Sequence, residues 1–170
     1  MATPPKIPGL GAFVDKDPKS PKPVAPPLVL TASRLLVAAA IVQVIASVMA
    51  VIYAASPDRL AGIQAQIDTM SGNVPSLDAM RNIGILTVVL AGIATVTAYL
   101  LFAFFLHKGR SWARTATGIL ALLTVLQLVG ISFPTGWTTV VQIVLGALAF
   151  GLCHLPVPKA YFAAMKAARS

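Results

Sequence analysis

Glutamate is missing from this 170-residue sequence altogether, and its acids are five aspartates. There is one cysteine, Cys153, so no internal disulfide can staple an exposed loop. Charged residues make up 11% of the chain, far below the ~25% with which a soluble domain covers its surface. Neither Asn73 nor Asn82 is followed by the Asn-x-Ser/Thr pattern of glycosylation. No glycine-rich phosphate loop, carboxylate dyad or nucleophile–base pair appears, which leaves catalysis without a candidate residue. No stretch alternates Lys or Arg with stacking aromatics, so nucleic acid is not an expected partner despite a net charge of +8.

What is present is apolar. The chain is 57% hydrophobic, with a mean hydropathy of +0.83. Four runs are free of charge: Leu35–Ala55 (21 residues), Ile83–Leu106 (24), Thr115–Phe133 (19) and Trp137–Cys153 (17). About 20 such residues cross the ~30 Å hydrocarbon core as a helix. Tyr53, Trp112, Trp137 and Tyr161 stand near run ends, where amphipathic rings anchor to headgroups. The pattern predicts an all-α integral membrane protein, a four-transmembrane-helix bundle with spans near 35–55, 83–106, 115–133 and 137–155.

Basic residues set the expected orientation. Residues 1–34 hold five Lys or Arg, the turn His107–Arg114 holds three, and the segment after Leu155 holds three. The connection 56–82 holds two and the connection 134–136 none, a split of eleven against two. Positive charge is retained on the cytoplasmic side, so both termini and the turn are expected in the cytoplasm. Lys108, Arg110 and Arg114 then enforce topology and Trp112 lies at the interface. Anionic lipid is an expected partner at these basic flanks.

Residues 1–30 read as a disordered, proline-rich cytoplasmic tail, since residues 1–27 carry eight of the thirteen prolines. This region is too long for the n-region of a cleaved signal peptide, so the first run is read as an uncleaved anchor. In the connection 56–82, Ser56-Pro57-Asp58 is a helix-start pattern, and Leu60, Ile63, Ile67 and Met70 fall on one helical face. That face is read as lying on the outer membrane surface, available to a partner. Ser71-Gly72 is read as its end, and Ser76 as a cap for a helix running on into the second span. Residues 156–170 form a basic cytoplasmic tail in which Tyr161 and Met165 share a face but Phe162 falls among the basic residues.

Helices in lipid associate through small residues and hydrogen bonds. Each span offers such a stripe: Ala39, Gln43, Ala46, Ser47 and Ala50 in the first; Gly84, Thr87, Ala91, Thr95 and Ala98 in the second. Thr117, Ala121 and Thr124 lead toward Gln127 in the third, and Thr139, Gln142, Gly146, Ala149 and Cys153 line the fourth. Gln127 and Gln142 flank a tight hairpin at similar depth, so an amide–amide bond between them is predicted. Gln43, Gln127 and Gln142 otherwise supply a neutral polar path.

No Asp, Glu, Lys, Arg or His lies in the core of any run. Ion-coupled transporters place ionisable groups there, and small four-helix drug exporters carry a carboxylate in the first helix, where this chain has only Gln43. His107, His154 and Cys153 are too few and too widely spaced for a metal site. No cofactor is expected.

The turn Lys108-Gly109-Arg110-Ser111-Trp112-Ala113-Arg114, set between two spans with a proline-rich head and a short basic tail, resembles that of a broad group of small actinobacterial four-span membrane proteins. A Gly-Arg-x-Trp-Ala-Arg turn recurs in that group. The resemblance implies a bacterial plasma membrane, in a cell-envelope or respiratory setting, and no reaction. The sequence thus reads as a non-enzymatic accessory or scaffold subunit, partnered by the lipid bilayer and other membrane subunits. The alternative is a small oligomeric transporter or channel.

Overall fold

Proline opens the first helix. A residue without an N–H costs nothing in the first turn, where that donor has no intrahelical partner. In the computed structural model, which describes residues 23–72, 74–126 and 136–168, helix α1 accordingly runs Pro27–Ala54. It starts inside the segment that composition assigned to the tail, and Val29 and Ala32 of its first turns are fully buried. Pro26 is its N-cap residue and Pro23 precedes it, while the five earlier prolines of the head lie outside the described residues.

Helix α2 is Pro57–Asp68, with the Ser56 hydroxyl accepting the Arg59 N–H at 3.3 Å and Asp58 in the first turn, where an acid suits the helix dipole. It ends before Ser71-Gly72, at Thr69. Helix α3 is Leu77–His107, capped by Ser76, whose oxygen accepts the Ala79 N–H at 3.2 Å. Helices α4 (Ser111–Leu126), α5 (Trp137–Cys153) and α6 (Pro156–Ala167) complete the described chain, which contains no strand.

Two helices, α1 with 28 residues and α3 with 31, are long and apolar enough to cross a membrane. Helices α5 and α6 meet at a 67° bend and make a third candidate if the pair is one span. Over its described residues α4 is 16 residues long, shorter than a crossing helix.

Helix α1 is the hub, packed against both α3 and α5, while α4 rests on α5. Helices α3 and α4 meet at Trp112, against Phe102 and Phe105, and at a hydrogen bond between the Tyr99 and Thr124 hydroxyls, 3.2 Å apart. The main apolar core draws on residues 29–40 of α1, 99–106 of α3, 113–120 of α4, 149–153 of α5, and α6. Every one of these lies in the half of the bundle nearer the α3–α4 turn. There the Ser33 hydroxyl donates to the Ala103 carbonyl at 3.0 Å, pinning α1 to α3. Toward the far end the buried residues of α3, α4 and α5 are small or polar: Gly92, Thr124, Thr138, Thr139, Gln142 and Gly146. Outward, α1 and α3 expose Ile41, Ile45, Val48, Leu86, Leu90 and Ile93. A continuous apolar surface of this kind calls for an apolar surrounding.

The inward face of α3 departs from the predicted stripe. Gly92, Tyr99, Ala103 and Leu106 are buried, whereas Gly84, Thr87 and Ala91 are exposed. The Thr87 and Thr95 hydroxyls donate to Ile83 and Ala91 carbonyls of their own helix, 2.8 Å each, so they need no neighbour. The close approach is instead at Gly92, where any Cβ would collide with the Ser47 hydroxyl of α1.

Candidate functional site

A crevice of about 300 Å³ opens between α1, α3 and α5 in the far half of the bundle. Its polar lining is Gln43, Ser47 and Tyr53 from α1, Thr95 from α3, and Thr138, Thr139 and Gln142 from α5. Helical spacing puts these groups together. Gln43 and Ser47 are one turn apart, and the Gln43 amide donates to the Ser47 hydroxyl at 3.2 Å. Thr138 and Thr139 begin α5, and Gln142 follows one turn on, 2% exposed. Among the described residues no carboxylate, amine, imidazole or thiol faces this space. Such a lining can hydrogen-bond a neutral polar group and cannot exchange a proton with it near pH 7.

Two of the three predicted glutamines, Gln43 and Gln142, thus share one crevice. Gln127, and with it the Gln127–Gln142 bond, lies outside the described residues. Thr95 and Ser47 join the site as members of the small-residue stripes; Thr138 was not singled out, although its place beside Thr139 at the start of a run was the available signal.

The α3–α4 turn is built by glycine. Gly109 has φ +66°, its N–H reaches the Leu106 carbonyl at 3.0 Å, and the Arg110 N–H reaches Phe105 at 3.0 Å, the paired bonds of a Schellman ending. A Cβ on Gly109 would stand 2.8 Å from Met165 Cγ and 2.9 Å from Tyr161 Oη, so α6 can lie on the turn only because no side chain is there. The other turn residues diverge. Lys108 places Nζ 4.1 Å from the Phe104 ring centre. Arg110 is exposed, and Trp112 lies back on Phe105 with centroids 5.0 Å apart while 47% exposed. Arg114 turns inward over Phe162 at 5.7 Å, and its Nε has no hydrogen-bond partner among the described residues. Phe162 is 2% exposed, which corrects its sequence placement among the basic residues: α6 presents Pro158, Tyr161, Phe162 and Met165 to the bundle.

The face of α2 predicted to meet a partner lies partly against the rest of the chain. Ile63 is 6% exposed and Leu60 and Ile67 are half-buried, because α2 folds its apolar face onto α3 and α1; Met70 alone, just past the helix, is open to solvent. Cys153 is buried in α5, and His154 Nδ1 lies 2.9 Å from the Phe150 carbonyl. Among the described residues no three His, Cys, Asp or Glu side chains gather as metal ligands would.

Comparison with protein-family models, curated proteins and solved structures yields no match. The functional reading therefore rests on the chain's own physical chemistry.

Proposed function

We propose that this chain is a four-span protein of the bacterial plasma membrane, with both termini and the basic turn in the cytoplasm, acting as a non-enzymatic accessory or scaffold subunit of a larger membrane complex. One observation carries the assembly part. Helices α1 and α3 leave between them an outward-facing apolar groove of about 450 Å³, bordered by Val44, Val48, Ile52, Val89, Ile93 and Val96. At its floor Gly92 and Ser47 draw the two helices together. Helices in lipid associate by fitting side chains into such recesses beside small residues.

Purification in mild detergent, followed by identification of bound subunits, tests this reading. A defined subunit should co-purify with the natural chain and be lost from a Val48→Trp variant that fills the groove; a solitary monomer in both cases counts against it. Orientation is tested separately in a Cys153→Ser background. Single cysteines at Gln64 should react with an impermeant thiol reagent in intact cells, and those at Lys166 only after permeabilisation.

The polar crevice supports a second reading, a small transporter or channel for a neutral solute. Solute flux in proteoliposomes that falls on Gln142→Leu would favour it over the scaffold role.

A further inference from the structure

The turn end contains a cavity of about 640 Å³ between the residues ahead of α1, the α3–α4 turn and α6. One wall is basic, with Lys108 and Arg110 beside His107, and the other is apolar, made by Val24, Leu30 and Met165. Among the described residues no carboxylate lines it. The three aspartates among the described residues, Asp58, Asp68 and Asp78, all belong to α2 and the start of α3, at the opposite end of the bundle. Arg34, Arg114, Lys159 and Lys166 add to the positive field on the turn side. The walls are held relative to one another. The Tyr161 hydroxyl donates to the His107 carbonyl at 3.3 Å, and Gly109 lets Tyr161 and Met165 close directly on the turn. Lys108 also borders the apolar surface of α3, since the Phe104 ring beneath its Nζ is half exposed.

We propose that this cavity binds the phosphate ester of an anionic phospholipid, with the phosphate toward Lys108 and Arg110 and the glycerol end against Val24, Leu30 and Met165. A free phosphate shares the charge but has no use for the apolar wall, which favours the lipid as its source. The proposal rests on the membrane-embedded reading, which sets the turn at headgroup level, and is independent of the scaffold role.

The full chain in uncharged detergent micelles, titrated with phosphatidylglycerol or phosphatidylcholine and read by native mass spectrometry, tests the site. Phosphatidylglycerol should bind in preference, and Lys108→Gln with Arg110→Gln should weaken it about tenfold or more. Lys159→Gln with Lys166→Gln removes the same charge from exposed positions outside the lining, and should change binding by less than about threefold in 0.15 M salt. Val24→Asp, at a residue 90% exposed and so tolerant of change, should lower binding through the opposite wall. Equal binding of the two lipids, equal losses in the two charge pairs, or full displacement by millimolar inorganic phosphate each overturn the proposal. A chain that leaves membranes without detergent overturns the embedded reading itself, whereas lost lipid preference in a chain that needs detergent overturns this site alone.

Discussion

Gly109 meets a conformational and a steric demand in the same residue: φ +66° and a Cβ position already taken by Tyr161 and Met165. Gly109→Ala should cost at least about 1–2 kcal/mol from the left-handed backbone alone. Gly109→Asn relieves that part, because asparagine tolerates the conformation, yet keeps the clash. Both should therefore lower the thermal midpoint in detergent, and a neutral Gly109→Asn would contradict the packing argument. A second residue-scale contrast concerns Tyr99 and Thr124. Tyr99→Phe leaves the Thr124 hydroxyl its 2.9 Å bond to the Leu120 carbonyl, so it should cost only about 0.6 kcal/mol. Thr124→Val strands the buried Tyr99 hydroxyl and should cost more, about 1–3 kcal/mol, in the same unfolding assay. Gln43 and Gln142 were legible from sequence because an amide inside an apolar run needs explaining. Ser33 and Tyr99 were not, because their partners are 70 and 25 residues away and only packing reveals them.

Among the elements, what could be read locally was read: Ser56-Pro57-Asp58 and Ser76 announce α2 and α3 through bonds that span three residues. Rotation about a helix axis is a different matter. The stripe chosen for α3 was about one residue off because Gly92 looks interchangeable with Ala91 until Ser47 is seen beside it. Helix α6 was under-read for a related reason, since a short basic segment shows no reason to bury Phe162 until Arg114 and the turn are placed beneath it. Phe162→Ala should undock α6, removing about 3–5 kcal/mol of packing. Limited trypsin digestion should then cut at Lys159 markedly faster, with the α1–α5 bundle still folded by circular dichroism; unchanged cleavage would show that α6 is held by other means.

At the scale of the molecule, apolar packing is concentrated at the turn end, and the far end of α3, α4 and α5 is packed through small and polar residues around a crevice. Local opening should follow that division. Hydrogen exchange followed by mass spectrometry should show amides of residues 29–40 and 99–106 protected far longer than those of residues 43–52 and 84–92 in the isolated chain. Uniform protection would refute it. The bend between α5 and α6 carries a further consequence. Helix α5 has 17 residues, about 26 Å at 1.5 Å per residue, whereas the uncharged run Ile83–Leu106 of α3 has 24 residues and extends about 36 Å. On the proposed four-span reading, these two lengths stand on different sides of α1 and make the bundle a wedge: lipid must thin beside α5 and thicken, or α3 must lean, on the other flank. Hydrophobic mismatch would then sort this protein toward thinner membrane regions, and its thermal midpoint in nanodiscs should be higher with 14-carbon than with 18-carbon acyl chains.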